Sequence, residues 1–229
     1  MRLGFTRFVK IFFSSLFIQT SWSFLTIQGM GFLVNLINGV KNDKKGSIIK
    51  AHKGYFNTHP YMVSYITGAT IRAYDEGDTI EEIRHFITIA QKSFASKGDL
   101  LFWQTIRPAL LLISVIIGIK YGIIGPILFL ISYNIFHLYH RTKGITDGYN
   151  KKWDVIYLLK SRRFTAVQHV FEIIGSFSTG LLFTLLAIKI SYLLLIPLTM
   201  LFIALIAKRY SAVLIILALL LLVIIIVLV

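Results

Sequence analysis

The residues of this chain best suited to chemistry lie together in ten positions, His52 to Tyr61, reading HKGYFNTHPY. Asn57, Thr58 and His59 set an amide, a hydroxyl and an imidazole side by side, flanked by Tyr55, Phe56 and Tyr61. Pro60 disfavours a helical conformation at His59, and the short side chains of Asn57 and Thr58 hydrogen-bond locally, so the stretch reads as a polar loop. Two uses fit it. Donors and acceptors beside aromatic rings suit a sugar, whose hydroxyls need partners and whose apolar face stacks on an aromatic. The same residues also suit a helix cap over a buried turn.

A second stretch, Gly98 to Pro108 (GDLLFWQTIRP), places Asp99 ahead of an apolar helix and Trp103 and Arg107 four residues apart on one face. Asp99 either caps the exposed amides of that helix or, with Trp103, lines a polar cavity at the membrane, where ionisable groups are costly and placed for function. Asn134, inside another apolar run, faces the same choice. Of the six histidines, His137 and His140 lie one helical turn apart, but no HExxH pattern or neighbouring carboxylate accompanies them. Anchoring of a polar ring at the membrane edge suits them better than a metal. The sequence has no G-x-S-x-G elbow, no phosphate-binding glycine loop with lysine and no close carboxylate pair in a polar setting. Neither a catalytic centre, a metal nor a cofactor is expected.

The elements that position these residues follow from composition. With 229 residues, 56% of them hydrophobic, and a mean hydropathy of +0.74, the chain is too apolar for a soluble domain and reads as an all-α integral membrane protein. Its net charge of +14 is spread between apolar segments without an arginine-rich groove or aromatic RNA signature, which argues against a nucleic-acid partner and for membrane orientation. No cysteine is present, so disulfides and thiolate metal sites are excluded. The basic, apolar start resembles a signal peptide, yet the polar cluster Gln19, Thr20, Ser21 running into Trp22 fits an amphipathic helix on the cytoplasmic face better.

Residues 5 to 40 read as helical and packed on protein, and Lys41 to Lys50 as an exposed link. The run after the polar loop reads as one helix ended by Gly77; Asp78 or Thr79 then caps a second, with Glu81 and Glu82 in its first turn, which runs to Gly98. Residues 1–98 are thus expected to form amphipathic and re-entrant helices on the cytoplasmic side, and 99–229 a bundle of about four to five transmembrane helices. The spans are Leu100 to Ile119, Tyr121 to Tyr139, Phe171 to Ile188 (marginal), Ile190 to Ala207 and Ser211 to Val229. Between the second and third, Arg141 to Arg163 holds seven Lys and Arg against Asp147 and Asp154 and reads as a cytoplasmic loop.

Taken together, these stretches resemble the IID membrane component of the mannose/fructose/sorbose family of the bacterial phosphotransferase system. The resemblance is carried by FIQTSW (Phe17 to Trp22), Gln28 with Gly31 and Phe32, HKGYFNTHPY, ITGAT (Ile66 to Thr70), GDLLFWQTIRP and IIGPILFLISYN (Ile123 to Asn134), and more loosely by GITDGYNK and FEIIGSFSTGLL. It implies a multi-pass protein of the bacterial cytoplasmic membrane, a non-catalytic subunit that pairs with a IIC subunit as a hetero-oligomer to translocate a hexose, with separate IIA and IIB proteins carrying the phosphoryl group. Gln19, Trp22, Asn57, Thr58, His59, Asp99 and Trp103 match the family's motif positions, which places the sugar-facing or subunit-contacting surface there. Asn134 joins them from the second span.

The chain departs from the family where KSFASKGD replaces a glycine- and proline-rich GPLAGxGD, which turns an expected re-entrant bend into an ordinary basic helix end. Ser23, Leu25 and Thr26 replace an asparagine and a charged pair, and a segment before the last two spans is missing, Ile188 being followed almost at once by Ile190. An orphan IID-like subunit with an assembly or regulatory role is the alternative these departures support. The charge pattern predicts that a reporter active only in the cytoplasm is silent when fused after Val229 and active when inserted within 152–160; activity at the C-terminus would reverse the orientation.

Overall fold

The computed structural model describes residues 3–190 together with Thr199, Met200 and Ile203. The described chain is helical: α1 (Phe5–Leu16), α2 (Gly29–Gly39), a 3-10 turn (Asn42–Lys44), α3 (Lys45–His52), α4 (Val63–Glu76), α5 (Ile80–Gly98), a π-helical segment (Asp99–Ile106), α6 (Arg107–Tyr121), α7 (Ile124–Lys151), a 3-10 segment (Lys152–Lys160) and α8 (Arg162–Ile190). It divides into two compact units, Met1–Ser176 and Phe177–Val229, the second beginning within α8. Apart from Ile190, Thr199, Met200 and Ile203, the last two expected spans lie outside the described residues.

Local chemistry fixes the helix ends. Gly77 closes α4 in the left-handed region (φ 87°), where the absence of a Cβ removes the steric penalty. Thr79, of the two candidate caps, starts α5: its hydroxyl accepts the Glu82 N–H (3.3 Å) while the Glu82 carboxylate accepts the Thr79 N–H (3.0 Å). This reciprocal box satisfies two of the amide donors that a helix start leaves unpaired.

α4 is the centre of the first unit, buried along its whole length except at Arg72, Asp75 and Glu76. α7 runs parallel to it at backbone contact, because Gly144 faces Ser64 and Tyr65 and Gly148 faces Gly68. A Cβ on Gly144 would lie 2.9 Å from that of Ser64, and one on Gly148 would meet the carbonyl of Tyr65 and, at 2.9 Å, the amide of Ala69. Such close approach is open only to small residues. At the far end of the pair, Asp75, its carboxylate 1% exposed, accepts from Tyr149 Oη (2.8 Å) and pairs with Arg7 (2.8 Å), which also donates to the carbonyl of Gly39. One carboxylate thereby joins α1, α4 and α7.

The stretch expected as a loop from Arg141 is instead helical to Lys151 and 3-10 to Lys160. Two of its lysines are paired: Lys143 with Asp147 one turn on, and Lys152 with Glu76 (2.8 Å) and Asp78 (2.5 Å) across the fold. Arg141 is buried. Periodic apolar positions Ile145 and Tyr149, together with the two glycines, give this basic segment a core face that its charge count conceals.

The helix end expected at KSFASKGD does not occur either. Ile80–Tyr121 is one unbroken helix of 42 residues, about 63 Å at 1.5 Å per residue. It and Arg162–Leu186 are the two described helices long and apolar enough to cross a membrane. Lys92 and Lys97 supply no stop signal, and Gly98 is held against the polar loop rather than freed as a cap. Just after it, the backbone widens into the π-helical segment, and Thr105 donates its hydroxyl to the Leu100 carbonyl (2.7 Å) five residues back, the register of a π-turn.

The packing predicts that Gly148→Ala weakens the fold by about 1–3 kcal/mol, since backbone on both sides prevents relief. Gly46→Ala, in open space on α3, should be neutral or slightly stabilising. Thermal unfolding of the chain in lipid nanodiscs measures both; equal midpoints would show that the glycine contact is not structural.

Candidate functional site

Residues Asn57 to His59 adopt no regular structure, yet they are pinned from two sides. The Asn57 N–H donates to Gln91 Oε1 (3.0 Å) and the Thr58 N–H to Gln28 Oε1 (3.2 Å). Gln28 begins α2, and its own N–H donates to the Phe56 carbonyl (2.9 Å), while Phe56 stacks on Phe32 at 3.8 Å. Two side-chain amides therefore do for the loop backbone what a sheet partner would do elsewhere.

His59 turns inward and is 1% exposed. Its carbonyl accepts from the Met62 N–H, which starts the turn into α4, and its Nδ1 accepts from the Tyr61 N–H (3.3 Å), which leaves the proton on Nε2. The ring stacks on Phe102 (4.9 Å) and lies 5.0 Å from the rings of Trp103 and Tyr61. Gly98 makes room for it, since a side chain there would strike the His59 Cβ. Burial pushes the imidazole down to about 3, with Arg141, His140 and His137 adding in the same direction, so His59 is neutral at physiological pH. A neutral imidazole of this kind donates a hydrogen bond and takes no proton.

The Nε2 of His59 and the Oγ1 of Thr58 are buried without a hydrogen-bond partner, an unusual state for polar atoms. Beside them Asn57 is exposed and Trp103 half exposed. The structure thus brings Asn57, Thr58, His59 and Trp103 into one aromatic-lined cluster, with half-buried Asp99 next to Gly98 at its edge. Asp99 caps no helix, because the helix continues through it.

The other expected residues stand apart. Gln19 and Trp22 occupy an exposed turn after α1, joined to the loop through the Phe56 N–H and the Thr26 carbonyl (3.2 Å). Asn134 is exposed on α7, where its amide donates to the Leu130 carbonyl (2.7 Å) and its Oδ1 faces His137 Nδ1 (3.4 Å). His137 in turn lies against the Tyr61 ring at 4.1 Å.

Gln91, Phe102, His137, His140 and Arg141 complete the surroundings and were not singled out by sequence as site residues. Gln91 had a usable signal, a polar side chain on the buried stripe Ile83, Phe86, Ile87, Ala90, Phe94 of α5. His140, whose Nδ1 meets Tyr65 Oη at 3.0 Å, has only its one-turn spacing from His137 as a signal, read as membrane-edge anchoring, and Arg141 has none beyond its place in a charged run.

A family model described as the PTS system mannose/fructose/sorbose family IID component matches residues 3–194. The mannose-specific EIID component of Escherichia coli K12 is 27% identical over 183 residues, covering 75% of this chain and 65% of the relative. The fructose permease IID component of Bacillus subtilis 168 is 28% identical over 191 residues, covering 79% and 70%. The cryoEM structure of the mannose transporter ManYZ in complex with microcin E492 superposes with a TM-score of 0.61 at 25% identity, over 79% of this chain and 70% of that one. This chain spans 65% of the length of the E. coli relative. With most of its residues under the family model and a ManYZ-like helical fold in the membrane, the chain belongs to the mannose/fructose/sorbose family of phosphotransferase-system IID components.

Proposed function

We propose that this chain is a non-catalytic membrane subunit of a hexose permease, pairing with a IIC subunit in the bacterial cytoplasmic membrane while IIA and IIB proteins supply the phosphoryl group. The observation that carries the sugar-facing part is the pair of orphaned polar atoms, Thr58 Oγ1 and His59 Nε2, in an aromatic-lined loop. Neutral donors and stacking rings suit sugar hydroxyls and an apolar sugar face.

The pairing rests on a different feature. Asp99, Trp103 and Arg107 recur every fourth residue on the long apolar helix, with Trp103 and Arg107 exposed. Ionisable side chains at membrane depth ordinarily face protein or a polar cavity, so this stripe, with exposed Asn134 on α7, suits a partner's helices better than lipid. α6 alone, 15 residues or about 22 Å, falls short of the ~30 Å hydrocarbon thickness, so the span draws on the π-helical segment as well. Orientation follows from charge. Lys152, Arg84 and Lys44 gather at the Glu76 end of α4, away from His59, and this basic end suits the cytoplasmic side. With the spans that follow, a multi-pass bundle of about four to five transmembrane helices results. The altered KSFASKGD segment favours the second reading, an orphan subunit that assembles or regulates without transporting.

Thr58→Val separates the readings, because it removes a hydroxyl that makes no hydrogen bond in the fold. Stability should be unchanged or slightly raised, whereas a lost bond to sugar costs about 1–3 kcal/mol, roughly 5- to 150-fold in affinity. Asn57→Ala, on an exposed side chain, should behave alike. Hexose binding by the isolated complex is the measurement, and normal binding by both variants would remove the loop from the sugar surface. A pH dependence should accompany it. His59 titrates near 6.5 when unfolded and about 3 when folded, so its burial contributes fully above pH ~6.5 and is lost as pH falls from there toward 3. The thermal midpoint of the complex should therefore fall between pH 7.5 and 5 by more in the parent than in His59→Gln, while hexose binding by the folded complex is not changed by His59 over that range; parallel midpoint profiles would contradict it.

A further inference from the structure

Arg141 is 2% exposed, and its described partners include no carboxylate. Removing a guanidinium from water without an anion is unfavourable, so its surroundings must compensate. Three neutral dipoles do so. One Nη donates to the carbonyl of Ser15 in the last turn of α1, where the helix carries its partial negative charge. Nε donates to His137 Nε2 (2.5 Å), and the guanidinium plane lies 5.5 Å from the centre of the Tyr61 ring.

The three arms end on three separate segments. Ser15 leads four residues later to Gln19 and then to Trp22. Tyr61 follows His59 by two residues, and the two rings touch at 5.0 Å. His137 holds Asn134 one turn earlier on α7 (3.4 Å). Residues far apart in sequence, all on the surface proposed above to meet sugar or partner, are thus referred to one buried cation. A lysine can replace it only in part, since a single ammonium keeps the charge but lacks both the fork that reaches two acceptors and the plane that lies on a ring.

We infer that Arg141 is a positioning residue that holds the Gln19–Trp22 turn, the Asn57–His59 loop and Asn134 in one arrangement. Its consequence for sugar binding rests on the reading of these segments as a sugar surface. Its consequence for their placement does not.

The absence of cysteine from the chain gives a direct test. Single substitutions Gln19→Cys and Asn57→Cys, with Ser47→Cys on α3 as control, are labelled with a soluble maleimide in membranes containing the full complex. Arg141→Met should change the labelling rate at the first two positions by about threefold or more and leave the third unaltered, with Arg141→Lys between. In the complex without introduced cysteines, Arg141→Met should weaken hexose affinity about tenfold at unchanged recovery, and Arg141→Lys should restore part of it. Unaltered labelling at Gln19→Cys and Asn57→Cys would overturn the proposal, as would equal changes at all three positions, which signify general loosening. If the parent complex binds no hexose, the sugar reading fails while the labelling arm still decides the role of Arg141.

Discussion

The first unit depends on the backbone contact between α4 and α7. Gly144 and Gly148 let α7 lie on α4 without intervening side chains, and Gly68 answers from the other side. Such contact gives a backbone-to-backbone fit that only small residues permit. The consequences spread along α7. Toward one end the contact delivers Tyr149 and Lys152 to Asp75 and Glu76; toward the other it delivers His140 and Arg141 to Tyr65 and Tyr61. A basic end and an aromatic, cation-centred cluster are therefore held at a fixed spacing by the same helix pair.

The polar loop draws its shape from this frame rather than from its own sequence. Pro60 and the short polar residues keep Asn57 to His59 out of a helix, but Gln28 and Gln91, from two different elements, set where the loop lies. Gly98 and the π-helical segment then bring Phe102 and Trp103 against His59. π-Turns recur at functional sites because an extra backbone unit re-aims the side chains that follow. Here the residues re-aimed are those the loop stacks upon.

Sequence made some of this legible. Local signals with strong chemistry are readable: Gly77 as a helix stop, Asp78 or Thr79 as the next cap, with Thr79 the one used, and an irregular loop before Pro60. Asn57, Thr58 and His59 are neighbours in sequence, and Trp103, 44 residues from His59 and grouped with them by the family resemblance alone, converges on the same loop. What stayed hidden depended on tertiary context. Seven basic residues between Arg141 and Arg163 read as a solvated loop, because charge outweighs a two-glycine stripe in any count. Lys97 and Gly98 read as a helix end, because a glycine pressed on His59 and a glycine freeing a helix terminus look the same in sequence. The gathering of Gln91, His137 and Arg141 around the loop joins residues 34 to 126 positions from their partners or four apart on a helix, and no local pattern reports the longer distances.

The central claim is that the closed cluster around His59 accepts a sugar, filling the hydrogen bonds that Thr58 and His59 leave unmade. Hydrogen exchange on this chain in complex with the IIC subunit proposed as its partner, with and without hexose, tests it most directly. Slower exchange confined to the amides of 57–61 and 99–103 on addition of hexose is the expected result. Unchanged exchange in those segments while hexose is bound would place the sugar elsewhere and contradict the account.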